Sequence, residues 1–399
     1  PDFLQTAIHA GDYLLRDLRV MEQGVFLGYA SAEDADDPGG EGSFYAWSPA
    51  QLREALGEAE GGRLAQEWNI TQGEAEIGRS GHHEPVASHI PHPRGGVFSR
   101  SSEAERQALR QHWEPLLPRL RAIRETRARP GRDDKVLTDQ NAMALEAFAA
   151  LGRYSGEARF IEATRELAGI VCARHTPQGL LRLPNRPAFI TDYGSAVSGL
   201  TAAFELLGDP LLVERAEAIA GEAIERLRSE DGGFYTTPAG RTDLIRRSRE
   251  QTDNAWPSGQ NALALGLVRL WNITGSSRYL AVAEGIFSVS SVVAEQHPTS
   301  VATLLLAWRN ARRGPAAAVV RGATSDPLTK ALLACARRCP DPAITVVAVE
   351  ACRDRAWSLL EARREPSAPE ALVCLDRSCL APARTVEEVT QRMEQAIRG

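Results

Sequence analysis

The chain has 399 residues, 43% of them hydrophobic and 25% charged, with a net charge of −6. That balance describes a globular chain with room for one large domain and a small one, and it argues against a nucleic-acid surface. No apolar run reaches the roughly twenty residues needed to span a bilayer, Pro1 to Leu18 lacks a signal-peptide pattern, and six cysteines are too few for a disulfide scaffold, so the expected setting is cytoplasmic, with no membrane partner.

In chain order, Phe3, Leu4, Ile8, Tyr13 and Leu14 open on a helical pattern, as though the sequence began inside a domain. The stretch from Tyr29 to Ser48 then gathers Glu33, Asp34, Asp36, Asp37 and Glu41 with the rings of Tyr29, Phe44, Tyr45 and Trp47 and no basic residue. A solvated acidic loop explains the carboxylates and leaves the rings without a purpose; a pocket wall for a polyhydroxylated molecule explains both. Ser48-Pro49 with Gln51 is a capping box, and Gly57 closes the short helix that follows.

Further helices are expected at about 103–128, 138–152, 156–174, 190–207, 210–228, 258–274, 276–293 and 298–312. Between several of them a glycine precedes apolar residues: Glu22 to Phe26, Gly95 to Phe98, Gln178 to Leu181 and Asp231 to Tyr235. Leu206 to Pro210 reads as a tight turn within a helix pair. Antiparallel helix pairs punctuated in this way make a toroid of helical hairpins. After Gly314 the texture changes to β-branched runs at 316–322, 343–349 and 370–376, alternating with helical patterns at about 326–338 and 386–398, the last opened by a capping box at Thr385 to Glu388. Residues 1–314 therefore read as a hairpin domain and 315–399 as a small α/β domain, or a lobe docked on the first, of parallel type and without a phosphate-binding glycine fingerprint.

Four stretches carry a resemblance: SAEDADDPGGEGSFYAWS, RDDKVLTDQNAMALEAFA from Arg132, FITDYGSAVSGL from Phe189, and LIRRSREQTDNAWPSGQNALALGLVRL from Leu244; VCLDRSCLAP from Val373 adds a fifth. Together they resemble the thioredoxin-domain-containing proteins related to spermatogenesis-associated protein 20. The resemblance implies an (α/α)6 barrel similar to six-hairpin glycosidases and N-acylglucosamine 2-epimerases, followed by a small terminal domain. It also implies a missing thioredoxin-like domain, since no C-x-x-C occurs here, and hence an incomplete toroid in a fragment, processed chain or reduced homologue. Asp139 and Gln140 stand where that family usually has serine and tryptophan, and Gln260 stands where it usually has asparagine.

In a hairpin barrel, residues just before the inner helices converge on one cleft. The candidate catalytic carboxylates there are Glu33, Asp36, Asp134, Asp192 and Asp253, one to serve as acid and another as base or nucleophile. Tyr45, Trp47, Tyr193, Trp256 and Ser258 are the candidate substrate contacts, joined by Glu84 and His92, which the resemblance selects from the histidine-rich run at 82–92. Capping is the ordinary explanation for Asp134, Asp192 and Asp253 taken singly. The irregular histidine spacing fits no zinc pattern, and Cys335, Cys339, Cys374 and Cys379 read as structural thiols, so neither metal nor cofactor is expected. Tryptophans at helical spacing, Trp68, Trp113, Trp271 and Trp308, are expected in the core. The expected function is carbohydrate-directed: binding, isomerising, epimerising or hydrolysing a sugar or sugar derivative. The alternative is an inactive scaffold that recruits a thioredoxin-like protein, signalled by an exposed apolar patch near Pro1.

Overall fold

The computed structural model describes residues 2–70, 90–91, 102–360, 368–376 and 378–398. Two compact units emerge: Ser31–Asp134, and Pro1–Ala30 with Lys135–Gly399.

The larger unit opens on α1 (Asp2–Asp17) and the antiparallel hairpin β1 (Arg19–Glu22) and β2 (Val25–Tyr29). The glycine of the first sequence motif is here a turn: Gln23 and Gly24 both adopt positive φ, 50° and 81°. From this hairpin a file of rings, Phe26, Tyr29, Phe148 and Phe160, runs into the core at centroid spacings of 5.2, 5.4 and 6.1 Å.

The smaller unit is tied at its ends by the short strands β3 (Ala32–Glu33) and β4 (Arg132–Asp133), which pair antiparallel. Within it lie α2 (Pro49–Leu56), α3 (Glu58–Glu67), α4 (Glu103–Trp113) and α5 (Leu117–Arg124). The capping box at Ser48 is present as expected, the Gln51 amide donating to Ser48 Oγ at 3.1 Å and the Ser48 amide to Gln51 Oε1 at 2.9 Å. The single helix expected at 103–128 breaks between Glu114 and Leu116, at Pro115, and Pro118 in the first turn of α5 lacks the N–H that would continue the helix back across the break. The break lets Trp113 turn edge-on to Trp68, 6.0 Å away, above Leu52, Leu64 and Leu120.

The chain then re-enters the larger unit as helical hairpins. These are α6 (Thr138–Ser155) with α7 (Ala158–Ala173), α8 (Ile190–Leu207) with α9 (Pro210–Leu227), and α10 (Gly259–Thr274) with α11 (Ser277–Val289). The short α12 (Ser291–Gln296) and α13 (Ala302–Arg313) follow. Between α7 and α8 stand the small strands β5 (His175–Thr176), β6 (Gly179–Leu183) and β7 (Arg186–Pro187). Helices α6, α8, α10 and α13 pack side by side as an inner row, and α7, α9 and α11 back them. The repeat beneath this is an inner helix closed by a left-handed glycine, namely Gly156, Gly208 and Gly275 at φ 73°, 75° and 76°, before the outer helix starts. Small residues let the inner helices touch: a Cβ on Gly194 would lie 2.2 Å from the Gly259 carbonyl oxygen, and one on Gly259 would lie 2.4 Å from the Thr191 nitrogen. The fold is thus mainly α and built from helical hairpins, as the periodicity predicts.

After Gly314 come β8 (Ala316–Arg321), α14 (Pro327–Arg337), β9 (Ile344–Ala348), β10 (Glu370–Leu375), β11 (Ser378–Cys379) and α15 (Val386–Arg398). The sheet order is β11-β10-β8-β9. In this sheet β8 and β9 are parallel, as a parallel-type unit requires, whereas β10 runs antiparallel to β8, so among the described strands the sheet is mixed. This lobe packs within the larger unit. Trp357 meets Phe204 edge-on at 5.6 Å, Arg337 Nε donates to the Glu205 carbonyl at 2.9 Å, and the Tyr154 hydroxyl donates to the Cys339 carbonyl at 3.0 Å.

The thiol expectation fails for one pair. Antiparallel register sets Cys374 opposite Cys379, and the two form a disulfide; Cys172, Cys335, Cys339 and Cys352 are free. Among the described residues no helix is long and apolar enough to cross a membrane.

Candidate functional site

The acidic loop of the smaller unit is ordered by its own carboxylates. Asp37 accepts from the Gly39 amide at 2.8 Å, the Phe44 amide at 2.7 Å and the Ser43 hydroxyl. Burial works against its charge, but those donors hold its carboxyl below the usual range. Glu33 accepts from the Tyr45 hydroxyl at 2.6 Å and from Arg129 Nη2 at 3.0 Å. Arg127 lies over Trp47, 4.2 Å from the ring centroid, and donates to the carbonyls of Phe44 at 2.9 Å and Ala46 at 2.6 Å. Of the other carboxylates singled out from the sequence, Asp36 is exposed, and Asp134 pairs with Arg132 at 2.5 Å with its side chain 58% exposed.

This scaffolding presents a cavity of about 370 Å³ whose wall includes Tyr45, Trp47, Trp68, Leu120, Arg121 and Arg124. The volume falls in the range of about 300–1,000 Å³ usual for small-molecule sites. Tyr45 and Trp47, both expected as ligand contacts, are in the wall. Trp68, expected only as core, is buried and lines it as well.

In the larger unit the starts of α6 and α8 carry a second cluster. Asp192 accepts from the Phe189 amide at 2.8 Å, which is the capping role, and also from the Asp139 amide at 3.0 Å. Arg182 Nη1 donates to Asp139 at 2.7 Å and to both Asp192 oxygens at 3.1 and 3.2 Å. Burial first, and then the charge of Asp139, push the Asp192 carboxyl up to about 6 against the pull of Arg182. Asp192 is fully buried and Asp139 nearly so. Asp139 and Arg182 were missed by the sequence argument, although Asp139 marks a departure from the family pattern.

Asp253 is a tie between helix starts: it accepts from the Ser258 amide at 2.9 Å, Asn261 Nδ2 at 2.8 Å and the Thr303 amide at 2.9 Å. Ser258 caps α10. Tyr193 is buried and its hydroxyl donates to Glu222 at 2.9 Å, whereas Trp256 is half exposed. Trp308, expected in the core, is also about half exposed. The five candidate carboxylates therefore divide: Glu33, Asp36 and Asp134 belong to one unit, Asp192 and Asp253 to the other. Glu84 and His92 lie outside the described residues.

Another charged network, unpredicted because its members are far apart in sequence, crosses the inner row. Arg269 on α10 pairs with Glu146 on α6 at 2.7 Å and donates to Ser198 Oγ on α8 at 2.8 Å, and Arg153 pairs with Glu205 at 2.5 Å. Burial opposes the Glu146 charge, but Arg269 holds its carboxyl below the usual range, while burial drives Glu205 upward. Among the described residues, no group of three or more His, Cys, Asp and Glu side chains is arranged to hold a metal ion.

These features define a mainly α protein of helical hairpins carrying a small α/β lobe. Over 77% of its length the chain is homologous to spermatogenesis-associated protein 20. The Rattus norvegicus protein is 25% identical over 349 residues and the Mus musculus protein 23% over 348. The chain spans 44% of the length of each of these relatives. No protein-family model matches it. Among solved structures, the GH76A alpha-1,6-mannanase from Salegentibacter sp. HEL1_6 aligns with 98% of this chain and 97% of its own, at 12% identity and a TM-score of 0.36. A sugar epimerase from a ruminal bacterium aligns with 71% of this chain and 86% of its own, at 11% identity and a TM-score of 0.27.

Proposed function

We propose that the protein binds a sugar or sugar derivative in the aromatic cavity of its 31–134 unit. The observation that carries this reading is the combination of Tyr45, Trp47 and Trp68 in the lining of one cavity of about 370 Å³, with the Tyr45 hydroxyl oriented by Glu33. Rings give a sugar's apolar face a surface to pack on, and polar groups at the rim fix its orientation. Glu33 acts here through Tyr45 as a positioning residue, and Asp36 takes no part.

Acid–base turnover is not included in the reading. Asp192 has a proton affinity suited to transfer near neutral pH, but it and Asp139 are buried and their oxygens are engaged by Arg182 and by the first turns of α6 and α8. Calorimetric titration with hexoses, N-acetylhexosamines and disaccharides tests the proposal. Millimolar or tighter binding that Tyr45→Ala weakens at least about tenfold supports it, and no binding of any of them at millimolar concentration overturns it.

The scaffold alternative rests on a different observation. Phe3, Leu4, Ala7 and Leu14 of α1 line an apolar groove of about 530 Å³ with Phe148 and Leu151 of α6, and Phe3 is 72% exposed. A groove of that kind fits a protein partner, and pull-down with a thioredoxin-like protein, compared between wild type and Phe3→Asp, is its test.

A further inference from the structure

The aromatic cavity carries a charge as well as a shape. Apart from Tyr45, the ionisable side chains among the described residues that line it are Arg121 and Arg124, one turn apart on α5, and no carboxylate among the described residues is in its wall. Arg121 is exposed, and no side-chain partner holds it among the described residues. Arg124 lies 5.1 Å from the Tyr45 ring centroid and reaches Glu125 at 3.3 Å through Nη2. Its Nε is buried and has no acceptor among the described residues. The guanidinium groups of Arg121 and Arg124 at the wall offer an anionic ligand charge-assisted hydrogen bonds.

The acidic loop does not cancel this bias within the wall. Glu33 faces Arg129, and Asp37 faces the amides of Gly39 and Phe44, so both carboxylates are already engaged away from the two arginines. What remains is an aromatic wall beside planar, always-charged guanidinium groups.

We infer that this cavity selects an anionic sugar, one bearing a carboxylate or phosphate, over a neutral one. The inference rests on the sugar-binding reading above and narrows it to a ligand class. The sugar ring packs on the aromatic wall while its anionic group takes the donors of Arg121 and Arg124, a geometry that a neutral hexose leaves half used.

The experiment is calorimetric titration of the full chain with glucuronate, galacturonate, glucose 6-phosphate, glucose, galactose and acetate, repeated on Arg121→Gln and Arg124→Gln. Thermal unfolding of both variants reports their folding, and Arg121→Gln, at an exposed position, is the variant that keeps the test open if Arg124→Gln does not fold. At least one anionic sugar is expected to bind ten-fold or more tightly than glucose and galactose. Arg121→Gln should remove most of that preference, and raising the salt concentration should weaken the anionic sugars alone. Whether uronates or the sugar phosphate bind better identifies the anion, and either result supports the inference. Equal binding of neutral and anionic sugars, or a preference untouched by Arg121→Gln, overturns the inference and leaves the sugar reading standing. Acetate binding as well as the uronates also overturns it. If no sugar binds, the sugar reading fails and the inference fails with it.

Discussion

Asp139 donates its backbone amide to the Asp192 carboxylate across 3.0 Å, so the first turn of one inner helix is anchored on the first turn of the next. Two carboxylates that a solvent-exposed chain would keep apart are held side by side because Arg182 bridges them. Burial, and then the charge of Asp139, make Asp192 bind its proton more tightly in the folded than in the unfolded chain despite Arg182, with a value of about 6 against an ordinary 3.8. Between those values the folded state holds the extra proton, so stability falls as pH rises through this window and levels off above about 6. Urea denaturation across pH 4 to 8 should show this decline, on the order of 1–3 kcal/mol, and Asp192→Asn should flatten it. Arg182→Gln should extend the decline above pH 6, because Arg182 is what lowers the Asp192 affinity. A slope in Asp192→Asn equal to that of wild type would refute the assignment.

Asp253 joins the starts of α10 and α13 through two backbone amides and the Asn261 side chain. Asp253→Ala removes the acceptor of both amides and one of the two acceptors of Asn261 Nδ2, and should lower unfolding free energy by about 2–4 kcal/mol in urea denaturation. Ligand binding by the aromatic cavity should be unaffected.

Glu33 and Asp36 are neighbours in sequence with opposite environments. Glu33→Gln weakens the bond to Arg129 and the orientation of Tyr45, and should cost about 1 kcal/mol. Asp36→Asn changes an exposed side chain and should stay within about 0.5 kcal/mol of wild type. Chemical denaturation of both variants, with sugar titration alongside, separates the two roles.

The disulfide closes a short loop between Cys374 and Cys379, five positions apart. Alkylation of the unfolded, unreduced protein followed by mass spectrometry should therefore modify four of the six cysteines, and all six after reduction. Reduction should lower stability by about 2 kcal/mol, the chain-entropy value for so short a loop. Modification of all six without reductant would exclude the bond.

What the sequence determined by itself is whatever is decided within a turn or two of chain. The capping boxes at Ser48 and Thr385, the glycine end at Gly208 and the apolar periodicity of α6 through α11 fall where local reading puts them, because the hydrogen bonds involved join residues three or four apart. Composition and periodicity likewise determined the hairpin class and the change of texture after Gly314. Tertiary structure alone decided which charges meet. Asp139 and Asp192 are 53 positions apart and Glu33 and Arg129 are 96 apart, so no spacing rule pairs them. It decided too that Trp68 lines a cavity rather than only filling a core, and that Cys374 faces Cys379 across a β turn. The same reason covers each case: a helix signal is a property of neighbouring residues, whereas a site's charge and shape are set by side chains that only long-range packing brings together.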